Sequence, residues 1–182
     1  LLKVMEEPPE GVLFLLTADS LASVLPTIRS RCVSFAVAPV SPADCARYCT
    51  AQGVEKKAAA LYSELFDGHI GTVLAAARDE ARMAQVEKAM ELARDAAARD
   101  SYAAAVLLAG YEKDRAGAAA LLTDFRAVAA AGLRGSSHAP LQGREAQRAL
   151  RLAESAIRNL NGNSNPKITL AVLAAKLGPA GQ

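Results

Sequence analysis

Ser41-Pro42-Ala43-Asp44-Cys45-Ala46-Arg47-Tyr48-Cys49-Thr50-Ala51-Gln52-Gly53 reads as a complete helix with both ends marked. Ser41 offers a hydroxyl to the unpaired amides of a first turn. Pro42 stands at the first helical position, where a missing N–H costs nothing. Gly53 stops the run. Toward the C-terminus the same pattern continues. A second helix is expected over about 54–66, ending at Asp67-Gly68, and a third from near His69 past Arg82. Longer helices follow near 84–98, 101–111, 114–134, 143–161 and 166–177. Gly135-Ser136-Ser137-His138-Ala139-Pro140 and Asn161-Gly162-Asn163-Ser164-Asn165-Pro166 are the loop-like breaks. The pattern predicts three short helices and then an all-helical bundle of about five, without a repeat of solenoid period.

Toward the N-terminus the character changes at Pro39. Val12-Leu13-Phe14-Leu15-Leu16-Thr17 is a continuous apolar run bounded by turn residues, and it predicts a strand buried on both faces. Cys32-Val33-Ser34-Phe35-Ala36-Val37, with β-branched and aromatic residues, predicts a second strand. Residues 20–29 suit one or two short helical turns around Pro26. Leu1-Leu2-Lys3-Val4-Met5 reads as the interior of a helix that Pro8-Pro9 ends. Two strands do not make a stable doubly covered sheet. The sequence is therefore expected to be the C-terminal part of a longer chain. The expected fold class is mainly α: a two-strand remnant of an α/β domain over 1–40, three helices over 41–83, and a helical bundle over 84–182.

Composition agrees with helix. Of 182 residues 52% are hydrophobic but only 4% aromatic, because alanine dominates. A net charge of +2 is too small to imply nucleic-acid binding by itself. The three cysteines, Cys32, Cys45 and Cys49, are an odd number with no signal peptide, which argues against a disulfide framework. Cys45 and Cys49 lie one turn apart, yet both histidines are remote in sequence, so no metal site is expected. No apolar run reaches the length of a membrane span. A cytoplasmic protein without membrane contact is the expectation.

Leu1-Leu2-Lys3-Val4-Met5-Glu6-Glu7-Pro8-Pro9, an apolar run, and then Leu25-Pro26-Thr27-Ile28-Arg29-Ser30-Arg31-Cys32 form an ordered signature. Over residues 1 to about 36 it resembles, without a gap, the second half of the ATPase domain in clamp-loader subunits of the AAA+ superfamily. It departs from that pattern at Val4-Met5. The resemblance implies that Arg31 is an arginine finger supplied in trans, with Ser30 and Cys32 as structural neighbours in the motif. The chemistry suits arginine. Phosphoryl transfer spreads negative charge over the transferring group, and a planar, permanently charged guanidinium stabilises it. Read locally, Arg31 is a surface arginine that caps a helix or pairs with an acid, and it is the surrounding family pattern that turns the reading to a finger. Arg29 reads as solvated or ion-paired, and Cys32 as a small buried residue opening a strand. The resemblance places Ala18, with Thr17 beside it, at the family's polar sensor position, which weakens a nucleotide-sensing role here.

In Asp67-Gly68-His69-Ile70-Gly71-Thr72-Val73-Leu74, Gly71 stands where ATP-hydrolysing relatives of that family carry a second sensor arginine. The resemblance is thus to the delta-prime type of DNA polymerase III clamp-loader subunit. His69 reads as a surface residue at a helix start. Ala156-Ile157-Arg158-Asn159-Leu160-Asn161 and the final helix resemble the end of a clamp-loader collar. Its Ile168, Leu170, Val172, Leu173 and Leu177 are expected in the core or at a partner. The implied partners are gamma/tau and delta subunits through the collar, and the sliding clamp and primed DNA through the assembled loader. The sequence holds no Gly-x-x-x-x-Gly-Lys-Ser/Thr loop and no acidic Walker B run. No cofactor is expected in cis; ATP and Mg would sit at the neighbouring subunit's site, and the chain would not be an enzyme alone. A gamma/tau-type motor subunit is the alternative reading, and an unrelated helical interaction module the second. Arg144, Arg148, Arg151 and Arg158 share part of one helical face with Glu145 and Glu154, which reads as a solvated or inter-subunit face rather than a DNA track.

Overall fold

The computed structural model describes Val4 and residues 6–18, 20–38 and 40–179. Leu1, Leu2, Lys3 and Met5, on which the expected first helix partly rests, lie outside the described residues. The chain divides into two compact units, Leu1–Ala38 and Pro39–Gln182.

In the first unit, Ser20 accepts from the Ala22 amide at 3.1 Å and opens a 3₁₀ turn, Leu21–Ser23. Helix α1, Pro26–Arg29, follows with proline at its first position. These are the short turns expected around Pro26. The two expected strands do not form: among the described residues none is in a strand. Leu13 and Leu15 are 81% and 85% exposed, and Val33, Phe35 and Val37 are equally bare. The reason is physical. A strand leaves its amides and carbonyls unpaired until another strand aligns with it, and an apolar run gains nothing until something covers it. The described residues of this unit supply neither.

The second unit is all helix: α2 Pro42–Ala51, α3 Lys56–Leu65, α4 Ile70–Arg78, α5 Glu80–Ala98, α6 Ser101–Ala109, α7 Arg115–Leu133, α8 Gly143–Asn161 and α9 Pro166–Leu177. The caps explain the boundaries. Ser41 accepts from the Asp44 amide at 3.1 Å, Asp100 from Ala103 at 2.9 Å, Asp114 from Gly117 at 2.9 Å and Asn165 from Lys167 at 2.9 Å. One boundary differs from expectation. The helix predicted to run past Arg82 breaks at Asp79, whose extended backbone and carboxylate, accepting from Ala81 and Arg82, cap α5. Neither glycine nor proline announces this break.

Helix α7 lies at the centre, packed against α8 and α5, while α6 packs on α9. Its Leu121, Leu122 and Phe125 are fully buried. The buried face of α8 is Ala146, Ala149, Ala153 and Ala156 before it reaches Leu160. This alanine seam lets helices approach closely and accounts for the composition. At Gly132 of α7 the approach is closer still: a Cβ would stand 1.9 Å from the Leu141 carbonyl oxygen. By length and hydropathy α7 is long and apolar enough to cross a membrane, so the expectation that no run reaches that length is corrected for this one helix. Half of its apolar window is buried inside the bundle, as in a core helix.

The three-helix and five-helix segments share one core, with α4 against α5 and α3 against α7. Arg82 of α5 forks onto the buried carboxylate of Asp124 in α7, and Gln85 donates to the same carboxylate at 2.8 Å. The Arg82 guanidinium also lies 5.6 Å from the centre of the Phe66 ring, just beyond α3. Gly68 closes that corner with φ +73°, and a Cβ there would stand 1.7 Å from the Val40 carbonyl oxygen. Cys45 and Cys49 are wholly buried core residues; burial and the neighbouring Cys45 push the Cys49 thiol up to about 11.

Candidate functional site

The Leu25–Cys32 stretch is built by α1. Pro26 fixes the first turn, and after Arg29 the chain tightens: the Ser30 amide donates to the Pro26 carbonyl at 3.0 Å and the Arg31 amide to Ile28 at 3.0 Å. Arg31 therefore leaves the end of a one-turn helix rather than the edge of a strand. Its guanidinium donates to the Thr27 carbonyl at 2.8 Å and to the Ser30 hydroxyl at 3.2 Å, and it forms an ion pair with Glu6. The Ser30 hydroxyl itself donates to the Thr27 carbonyl at 3.1 Å. Arg31 thus neutralises the carbonyl end of α1 while Glu6 holds its other edge.

The side chains of this pair are 33% and 44% exposed, so the pair is open to solvent. Such pairs contribute about 0–1 kcal/mol, because water screens them and two long side chains lose freedom. The guanidinium is held but cheaply released. Cys32 is a free thiol, half-buried, with no strand to open. Arg29, Thr17 and Ala18 are exposed. Glu6 was not among the expected site residues. It stands 25 residues from Arg31, and its sequence signal, an acid before Pro8-Pro9, does not announce a pairing.

In the second unit the expected arginine face divides. Arg144, Arg151 and Arg158 are exposed. Arg148 instead donates to the Lys176 and Gly178 carbonyls at 2.5 and 3.0 Å, closing the C-terminal end of α9. Glu145 pairs with Arg99 at 3.3 Å. The last helix divides too. Leu170, Leu173 and Leu177 are core, while Ile168 and Val172 are exposed beside a groove of about 340 Å³ between α8 and α9. His69 is exposed at the start of α4 without a capping hydrogen bond from its side chain, and Gly71 is exposed two residues on.

A polar cluster unread in the sequence joins the end of α3 to the α7–α8 loop. Ser136 donates to Glu64, the His138 Nδ1 lies 2.9 Å from the same carboxylate, and Arg134 lies 3.2 Å from Asp67. Burial pushes the Glu64 carboxyl up, but the hydrogen bonds from His138 and Ser136 outweigh it and hold the group below its ordinary value. Among the described residues no group of three or more His, Cys, Asp or Glu is placed to hold a metal ion.

Residues 1–41 match the family model described as DNA polymerase III, delta subunit. The match spans the Arg31 motif and covers 41 of the 182 residues; it relates this segment to clamp-loader-type subunits of DNA polymerase III. No curated protein and no solved structure matches the chain.

Proposed function

We propose that this chain is a subunit of the DNA polymerase III clamp loader, of the delta-prime type, and that Arg31 reaches in trans to the ATP bound by a neighbouring subunit. The observation that supports this most is the position of Arg31. It is an arginine at the end of a short proline-started helix, inside the matched segment, held by an exposed ion pair with Glu6 and by hydrogen bonds to the Thr27 carbonyl and the Ser30 hydroxyl of its own turn. Exchange of Glu6 for a phosphate replaces one anion by a more highly charged one, and the fork that now meets a carboxylate and a carbonyl suits phosphoryl oxygens equally. The guanidinium would stabilise charge on the transferring group, an effect of about 10³–10⁵ in rate for such fingers.

On this reading the chain binds no nucleotide itself and is not an enzyme alone. ATP and Mg lie at the neighbour's site, and Gly71 leaves no guanidinium in α4 to touch a phosphate in cis. Residues 1–40 belong to the ATPase domain, 41–83 to a lid and 84–182 to a collar that joins gamma/tau and delta subunits in the cytoplasm. Exposed Ile168 and Val172 are the apolar side chains of α9 suited to that contact.

The test is a loader assembled from the full-length protein with its clamp and primed DNA. Arg31→Ala is expected to leave assembly intact and to lower ATP turnover by about tenfold or more. Unchanged turnover in an intact complex would make Arg31 a capping residue of α1 and nothing more.

A further inference from the structure

We propose that the groove between α5 and α6 is a docking site for an amphipathic helix of a partner protein that carries arginine or lysine. The groove has a volume of about 520 Å³. One wall is α6, where Tyr102 and Val106, one turn apart, are 79% and 58% exposed. The other wall is α5, where Glu91 and Asp95, also one turn apart, line the groove. Neither carboxylate has an ion-pair partner among the described residues. Burial, then Glu91 and Asp100, raises the Asp95 carboxyl above its ordinary value against an opposing pull from Arg94.

At the far end Tyr111 already receives a cation: Lys88 Nζ lies 5.5 Å from its ring centre. The groove therefore pairs an exposed apolar stripe with unneutralised carboxylates beside aromatic rings. A helix laid between α5 and α6 would cover Tyr102 and Val106 with its apolar face and set cationic side chains on Glu91 and Asp95. An acidic or purely apolar helix would leave those carboxylates buried and unpaired, which is costly. This site is independent of Arg31 and of the loader assignment.

The probe is a fluorescent, N-acetylated helical peptide with leucines at i, i+3 and i+4 flanked by arginines, titrated by anisotropy and mapped by amide chemical shifts on the whole chain. The same peptide with glutamates in place of the arginines is the control. Binding is expected for the cationic peptide only, with shifts confined to α5 and α6. It is expected to weaken about tenfold in Glu91→Gln/Asp95→Asn, and similarly in about 0.5 M salt. Tyr102→Ala is expected to weaken it while leaving the salt dependence unchanged. Both sets of variants change exposed or half-exposed side chains, and unchanged far-UV circular dichroism establishes that they fold. Equal binding of the two peptides, shifts that map to another face, or no binding by either peptide overturns the proposal. So does self-association of the chain that the Glu91→Gln/Asp95→Asn variant abolishes, which would make a second copy the occupant.

Discussion

Phe35 and Phe125 are the same side chain in opposite circumstances: one is 84% exposed in the segment that carries the arginine motif, the other 0% exposed in the central helix. The segment up to Ala38 has apolar runs as rich as any in the chain, yet they stay uncovered. The segment after it has few aromatics and buries a continuous core. The difference lies in where backbone hydrogen bonds close. A helix satisfies its own, so alanine- and leucine-rich stretches need only pack face to face. A strand has nothing until a partner strand supplies it. The region with the recognisable motif leaves its apolar runs uncovered, and the region that closes its own hydrogen bonds and core carries no catalytic motif among its described residues.

Unfolding by urea, followed by circular dichroism, tests this contrast most severely. Phe125→Ala is expected to cost about 3–5 kcal/mol by opening a cavity in α7, and Phe35→Ala less than about 0.5 kcal/mol. Comparable costs would mean that residues 32–37 are packed after all. A second pair compares two carboxylates that meet arginines. Asp124→Ala, which strands the half-buried Arg82, is expected to cost about 3 kcal/mol, while Glu6→Ala, on the exposed pair with Arg31, is expected to cost under about 0.5 kcal/mol.

Two glycines sharpen the account of the corner after α3. Gly68→Ala forces a Cβ into the left-handed region and against Val40, for an expected loss of about 2 kcal/mol or more in the same titration. Gly71→Ala meets open space inside α4 and is expected to stabilise by about 0.5–1 kcal/mol. Glu64 adds a pH dependence. Its carboxyl is held below its ordinary 4.5, so its contribution is present above that value and is lost as pH falls through the lower folded value. Glu64→Gln is expected to cost about 1 kcal/mol at neutral pH, and the gap is expected to narrow as pH falls below 4.5. A gap that stays constant with pH would mean that the charge at Glu64 does not matter to the fold.

Much of the helical unit was legible. Ser41-Pro42 and Pro166 are helix starts that the sequence displays openly, and the structure starts helices at both, while the caps at Asp100 and Asp114 emerge only in the structure. Asp79 was missed because an aspartate inside a helical run is usually a solvated residue, and only its backbone angles turn it into a cap. The strands were read from apolar runs that the described residues leave unpaired. Of the candidate site, Arg31 was legible through its neighbours in the motif. Its grip on Glu6 and on the Thr27 carbonyl was not, because a contact across 25 residues leaves no local pattern. The Glu64–Ser136–His138 cluster spans more than 70 residues and was invisible for the same reason.

On the proposed function, Arg31 acts as a fork on a neighbour's ATP rather than as a local cap. The most direct measurement is the turnover number at saturating ATP in the assembled loader for Arg31→Lys, with Glu6→Ala as its companion. A lysine keeps the charge but not the fork. A fall of about tenfold or more is expected for Arg31→Lys with assembly and ATP affinity retained, and no fall for Glu6→Ala. Full turnover with lysine at position 31, or a loss with Glu6→Ala as large as with Arg31→Lys, would contradict it.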